Sequence, residues 1–155
     1  MNHQRRAVYT RRQKMLRADK TEIESILSEI IQDRTEGDEI VKEKRKKLGD
    51  TMFFETVRRI ALYTIDTLWM EHLEAMDYLR SSVNLRAYGQ REPIVEYKKE
   101  GLAMFKEMEE VFKEQVFSLI NNINTENVPK TKEEENLSKQ TLITSHGEPT
   151  TDGKS

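Results

Sequence analysis

The chain has 155 residues, of which 35% are hydrophobic and 35% are charged, with a net charge of −2 and no cysteine. The length suggests one domain, and the small apolar fraction favours long amphipathic helices over a thick core. The absence of cysteine excludes disulfides, thiolate zinc sites and a cysteine nucleophile. No apolar stretch approaches the roughly 18 residues of a membrane-spanning helix.

The first predicted helix covers residues 2–33, although Ala18 and Asp19 weaken its apolar pattern midway. Its stripe consists of Val8, Arg12, Met15, Leu16, Ile23, Ile26, Leu27, Ile30 and Ile31. Residues 1–17 carry six basic side chains and no acidic one. Such a surface could bind phosphates, but a solvated face, or one paired with neighbouring acids, is the favoured interpretation.

The second predicted helix begins near Asp50, a suitable N-cap residue, or earlier if it runs through Gly49, and it extends to residue 83. Residues 34–49 before it form a predicted linker with a polar break and the basic run KEKRKK. Trp69 and His72 lie on the apolar stripe of this helix, so both are predicted to be structural packing residues. His72 lacks the Glu-x-x-His or His-Glu-x-x-His spacing that a metal site in a helix would need.

The stretch NLRAYGQREP, residues 84–93, interrupts the helical pattern before a third predicted helix over residues 93–122. Gly89 tolerates a positive φ, and Pro93 can start a helix. The third helix is predicted to bury Tyr97, Leu102, Phe105, Met108, Phe112, Val116, Leu119 and Ile120. The sequence therefore predicts an all-α fold of three long helices, the last two forming an antiparallel hairpin. The polar residues 123–155 are predicted to be a disordered tail.

Tyr88 stands out at the tip of this hairpin, where an aromatic ring has little to pack against within the hairpin itself. Arg86 and Arg91 flank it and make an adaptable surface suited to a partner chain. A tip that docks on another domain of the same protein would explain the same residues equally well.

Residues 68–108 contain a series of short motifs in fixed order: LW-x-EHL, MD-x-LR, LR-x-Y-x-Q, P-x-x-EYK and MF. This series resembles the helical scaffold region of SecA, the motor family of bacterial and plastid preprotein export. The start, MNHQRRAVYTRR, resembles the long scaffold helix of the same family.

The resemblance implies that residues 50–122 are a two-helix finger, whose tip enters the SecY subunit of the SecYEG channel and contacts an unfolded preprotein. It implies that residues 1–33 are a segment of the scaffold helix that packs on the nucleotide-binding domains. The tip residues implied are Tyr88, Leu85, Arg86, Gln90 and Arg91, and those implied to contact the motor domains are Arg5, Arg6, Tyr9 and Arg12.

The sequence departs from the family pattern because both ATPase domains and the Cys-rich zinc tail are missing. Residues 34–49 stand where the family has its wing domain, which would be absent or reduced. We expect no catalytic residue, metal or cofactor in this chain, since ATP and magnesium belong to the full-length motor. The chain is either a C-terminal fragment of such a motor or a separate short gene product.

By resemblance we expect a cytoplasmic protein that also lies on the cytoplasmic face of the inner membrane. Anionic lipid and a second copy of the chain remain open as partners, and specific nucleic-acid binding is not expected. The alternative function is a stand-alone helical adaptor that binds a partner helix or nucleic acid through residues 1–17.

Overall fold

The computed structural model describes residues 1–86 and 92–124. It contains five helices: α1 Asn2–Arg17, α2 Lys20–Ile31, α3 Gly37–Leu48, α4 Asp50–Arg86 and α5 Pro93–Asn121. The predicted all-α class is confirmed, and the described part of the chain has no strand. The predicted disordered tail lies outside the described residues except for Ile123 and Asn124.

The prediction of one continuous helix over residues 2–33 is wrong, because the structure divides this segment into α1 and α2. Ala18 has an extended backbone with φ −59° and ψ 133°, which ends α1. Asp19 then caps α2: its carboxylate accepts a hydrogen bond from the Glu22 backbone N–H at 2.8 Å. The Glu22 carboxylate accepts one in return from the Asp19 backbone N–H at 3.0 Å. This reciprocal capping box favours a new helix start over continuation of α1.

Arg58 of α4 holds the joint between α1 and α2. Its guanidinium donates to the carbonyl oxygens of Leu16 at 2.7 Å and Ala18 at 2.6 Å. Carbonyls at the end of a helix have no intrahelical donor, and the dipole there favours a cation. Arg58 therefore provides hydrogen-bond donors for two carbonyls at the end of α1 and connects that end to α4.

The predicted linker 34–49 contains α3, which is a separate helix and not an earlier start of α4 through Gly49. Gly49 ends it with φ +80°, a left-handed conformation that favours glycine, and its N–H donates to the Arg45 carbonyl at 2.9 Å. Asp50 is the first residue of α4, and its carboxylate accepts two hydrogen bonds from Arg45, at 2.8 and 3.2 Å. The corner between α3 and α4 is thus fixed by backbone and side chain together.

Helices α4 and α5 form the predicted antiparallel hairpin. His72 lies 5.7 Å from Phe105 between ring centroids, whereas Met76, one turn later on α4, faces Gly101, one turn earlier on α5. Contacts that advance along α4 while retreating along α5 define the antiparallel arrangement. Helix α4 extends to Arg86, three residues beyond the predicted end.

The main apolar core joins buried residues of α1, α2, α4 and α5, with partly buried residues of α3 packed against it. Its members with no exposed surface are Phe53, Ile65, Val116 and Ile120. A smaller cluster between α4 and α5 consists of Met76, Leu79 and Val83, with Tyr97 and Met104 against it. The end of the hairpin that contains Asp50 and Asn121, which we call its base, therefore lies in the larger core. The end that contains Arg86 and Pro93, its far end, has only the smaller cluster beside it.

Two residues predicted to be buried on α5 are exposed. Leu102 is 50% exposed and Leu119 is 40% exposed. Next to Leu102, Gly101 is buried although it was not predicted to be, whereas Ile120 next to Leu119 is buried as predicted. The buried face of α5 thus includes Gly101 in place of Leu102 and does not extend to Leu119.

Candidate functional site

The described end of the hairpin exposes apolar side chains on both helices. Leu85 at the end of α4 is 79% exposed, and Ile94 and Val95 at the start of α5 are 65% and 55% exposed. Pro93 occupies the first helical position, where its missing N–H costs no hydrogen bond. Of the five predicted tip residues, Leu85 and Arg86 lie at this end, while Tyr88, Gln90 and Arg91 lie outside the described residues.

Arg86 is engaged within the chain. Its Nη1 lies 2.7 Å from Glu100 Oε1 and its Nη2 lies 3.0 Å from Glu100 Oε2. These hydrogen bonds raise the pKa of Arg86 and lower the pKa of the Glu100 carboxyl. Glu100 was not singled out by sequence interpretation, because a pair between two different helices leaves no local pattern.

Gln4 connects three helices at one point of the hairpin. Its Nε2 donates to the Gly101 carbonyl at 3.1 Å, which directs its Oε1 toward His72 Nε2 at 2.7 Å. His72 Nε2 is therefore the protonated nitrogen that donates to Gln4. The sequence signal for Gln4 was its place four residues before buried Val8 on one helix face.

His72 and Trp69, predicted as structural residues, lie at this junction of α1, α4 and α5. The His72 ring is 5.5 Å from the Trp69 ring and 5.7 Å from the Phe105 ring, between centroids. His72 is 5% exposed, and this burial lowers its pKa.

The lowered pKa of His72 predicts that the folded chain loses stability in acid. An unfolded histidine begins to bind its proton near pH 6.5, while the buried one still resists protonation. The free energy of unfolding should therefore be highest above that pH and fall as the pH decreases toward the folded pKa. Urea denaturation from about pH 7.5 to about pH 5.5 tests this, and His72→Gln should reduce the dependence. An unchanged pH slope in the variant would contradict the assignment.

The residues of α1 predicted to contact motor domains divide into two groups. Arg12 binds Asp66 of α4 through two hydrogen bonds, at 2.8 and 3.3 Å, which raise the pKa of Arg12. Arg5, Arg6 and Tyr9 are exposed, Tyr9 by 64%. The side chain of Arg12 thus attaches α1 to the hairpin, whereas the other three face solvent.

Arg11 is a further anchor of α1 that the sequence alone did not identify. Its guanidinium lies 3.6 Å from the Glu109 carboxylate and 5.5 Å from the centroid of the Phe112 ring. Arg11 and Arg12 therefore fix α1 to both helices of the hairpin. Part of the basic face is paired with neighbouring acids, as the favoured interpretation of residues 1–17 proposed.

The arrangement is a two-helix hairpin with an exposed end, and a scaffold of three helices packed on its base. The sequence profile described as the SecA wing and scaffold domain matches residues 34–124, which contain α3, α4 and α5. The chain belongs to the SecA wing and scaffold family. The recognition made from the short motifs is confirmed.

Individual SecA proteins show the same relationship. The protein translocase subunit SecA of Bifidobacterium adolescentis is 42% identical over 89 residues, covering 57% of this chain and 9% of that protein. The SecA subunit of Cutibacterium acnes is 37% identical over 105 residues, covering 67% and 12%. That of Acidiphilium cryptum is 44% identical over 89 residues, covering 57% and 10%. The chain thus spans about a tenth of the length of these SecA relatives and corresponds to a segment of a protein translocase.

The described residues also bear on membrane insertion and metal binding. None of the five described helices is both long and apolar enough to cross a lipid bilayer. Within residues 1–86 and 92–124, no three His, Asp or Glu side chains are grouped closely enough to hold a metal ion.

Proposed function

We propose that this chain is the segment of a SecA motor that transmits movement from the ATP-hydrolysing domains to a preprotein at the SecYEG channel. The observation that carries the proposal is the shape of the hairpin. Helix α4 is continuous over 37 residues, or about 55 Å at 1.5 Å per residue, and α5 runs beside it. The base is held in the main core, while the far end is exposed, so displacement of the base is carried to the tip.

The tip would act on the preprotein through an aromatic ring. Tyr88 offers apolar surface and a hydroxyl group, so it can contact many unfolded sequences without selecting one. The exposed Leu85 adds apolar surface at the same end. Gln90 and Arg91 would supply polar contacts to the channel, and tolerance of different preproteins follows from this mixture.

The motor domains would act on the base through α1. Arg5, Arg6 and Tyr9 are exposed and available to a neighbouring domain. Arg12 would contribute by holding α1 on α4 through Asp66. ATP and magnesium would be bound by domains outside this chain, and the motor would work on the cytoplasmic face of the inner membrane.

The proposal predicts that Tyr88→Ala in the complete motor lowers the rate of preprotein transport by about tenfold, the factor that corresponds to about 1.4 kcal/mol. Transport into membrane vesicles containing the channel measures this rate. Tyr78→Ala is a matched control, because Tyr78 is a 78% exposed tyrosine on the side of α4, ten residues before the tip residue. Equal transport by the two folded variants would refute the tip assignment.

The alternative of a stand-alone adaptor has one observation in its favour. Arg5, Arg6, Lys14 and Arg17 are exposed on α1 and form a cationic surface. Nucleic acid bound there would be released steeply as salt concentration rises. Such binding by the 155-residue chain, together with normal transport by the Tyr88→Ala motor, would favour the adaptor over the finger.

A further inference from the structure

The far end of the hairpin has little apolar packing to fix it. Val83 is the last buried residue of the described part of α4, and Gly101 is the first buried residue of α5. Beyond them Leu85, Ile94 and Val95 are all more than half exposed. Apart from Tyr97, which packs against the cluster that contains Val83, the two helix ends must therefore be held by contacts other than apolar packing.

Arg86 and Glu100 form such a contact across the two helices. The guanidinium and the carboxylate meet through two hydrogen bonds, at 2.7 and 3.0 Å, and such a bidentate pair fixes orientation as well as distance. Arg86 lies in the last turn of α4, where the helix dipole favours a cation. Glu96, one turn before Glu100, adds negative charge near the guanidinium.

The direction of the side chains explains why residues so far from each other along the hairpin meet. Side chains in a helix tilt toward its N-terminus. In an antiparallel pair, Arg86 on α4 therefore leans away from the tip, while Glu100 on α5 leans toward it. The two side chains converge diagonally, so the pair resists both sliding and rotation of one helix end against the other.

We propose that Arg86 and Glu100 are positioning residues that clamp the helix ends at the base of the tip. The clamp sets the spacing and rotation of the two ends between which residues 87–91 run. Arg86 then acts through Glu100 and not as a contact to the channel or the preprotein. The consequence for transport rests on the proposed function, whereas the clamp itself does not.

The first experiment measures the clamp without any transport. Amide hydrogen exchange of the 155-residue chain is followed in the last turn of α4 for Arg86→Glu, Glu100→Arg and the double swap. Each single change should speed exchange there by about three- to tenfold, since it replaces attraction with repulsion in a region of low local stability. The double swap should exchange more slowly than either single change, but not fully like the original chain, because it leaves an anion in the last turn of α4.

The matched control is Arg80→Glu, because Arg80 pairs with Asp77 of the same helix at 2.9 Å and does not link α4 to α5. It makes the same charge change six residues earlier and should leave exchange at the α4 end unchanged. Single variants that exchange like the original chain, or a double swap that exchanges no more slowly than the single variants, would overturn the clamp.

The second experiment places the same variants in the complete motor. Each single charge reversal should slow transport several-fold, and the double swap should restore it, because the pair is kept while its charges are exchanged. Direct contact of Arg86 with the channel or preprotein predicts the opposite, since the swap moves the cation to α5 and should not rescue. Arg86→Lys should also slow transport, because lysine keeps the charge but not the paired hydrogen bonds.

The two experiments separate failure of the clamp from failure of the finger. Coupled exchange together with normal transport by Tyr88→Ala would leave the clamp standing and refute the proposed function. Uncoupled exchange together with a defective Tyr88→Ala motor would do the reverse.

Discussion

Phe53→Ala is expected to lower the free energy of unfolding of the chain by about 3–5 kcal/mol, the usual cost of removing a buried phenylalanine. Phe53 has no exposed surface and lies in the main core. Its ring meets that of Phe54 edge to face, with centroids 5.5 Å apart. Alanine would remove this contact and leave a cavity that a packed helical core can close only in part.

The location of Phe53 adds to the expected effect. It lies in the first turn of α4, and its backbone N–H donates to the carbonyl of Gly49 at 2.9 Å. The guanidinium of Arg45 lies 5.0 Å from the centroid of the neighbouring Phe54 ring. The rings of Phe53 and Phe54 therefore help to hold the corner between α3 and α4. Removal of the Phe53 ring should destabilise α3 together with the core.

Urea denaturation followed by circular dichroism measures the loss. The control is Tyr63→Ala, because Tyr63 lies on the same helix but is 69% exposed, and its removal should cost less than about 1 kcal/mol. Phe53→Leu should give an intermediate loss, and it serves as the test if the alanine variant does not fold. Equal stability of the Phe53→Ala and Tyr63→Ala chains would contradict the packing described for Phe53.

The hairpin was predictable because the apolar residues of its helices recur at helical spacing over long segments. The stripe of α4 repeats from Phe53 to Val83, and the buried side chains of the structure follow it closely. Pro93 marks the start of α5 directly. Over such lengths the helical period outweighs local exceptions.

The helices of the first 50 residues were harder to predict, because the sequence features that start and end them extend over only a few residues. The end of α1 depends on the Asp19–Glu22 capping box, which is visible in the sequence as Asp-Lys-Thr-Glu but was overridden by the apolar stripe on both sides. Helix α3 has mostly charged residues, and its apolar side chains, such as Val41 and Leu48, are only partly buried. A polar, weakly buried helix resembles a linker when composition alone is considered.

The contacts of the described candidate residues were not predictable from the sequence. Leu85 lies beyond the apolar stripe that ends at Val83, and α4 continues to Arg86, three residues past the predicted end. The pairs Arg86–Glu100 and Arg12–Asp66 depend on how separate helices meet, which the sequence does not encode locally. The structural roles of such residues become visible only when the helices are packed.

The role of Gly101 in α5 also depends on how the helices pack. Its substitution is the second change for which we expect a large loss of stability. A Cβ added at Gly101 would lie 2.7 Å from Met76 Cε and 3.1 Å from its Sδ. Met76 is 2% exposed, so its side chain has little room to move away. The carbonyl of Gly101 also accepts the hydrogen bond from Gln4, which ties α1 to the same place. The glycine thus allows α4 and α5 to approach closely at the point where Gln4 also attaches α1.

Gly101→Leu is therefore expected to destabilise the chain by about 1–3 kcal/mol through overpacking. This is a net value, because leucine in place of glycine adds about 0.8 kcal/mol of helix propensity. Ala103→Leu is the matched control, since Ala103 is exposed on the same helix and its replacement should change stability by less than about 0.5 kcal/mol. The apolar periodicity of α5 would instead place Leu102 in the core and give no reason for a glycine beside it.

Removal of the opposing side chain should rescue the variant. In the double variant Met76→Ala/Gly101→Leu, the new leucine can occupy the space that methionine leaves, so the two changes should cost less together than their sum. Neighbouring core residues typically show coupling of about 0.5–3 kcal/mol in such a cycle. Additive losses, or equal effects of Gly101→Leu and Ala103→Leu, would mean that α4 and α5 do not meet at Gly101. A large coupling between the two changes would show that the close approach of α4 and α5 depends on the absence of a side chain at Gly101.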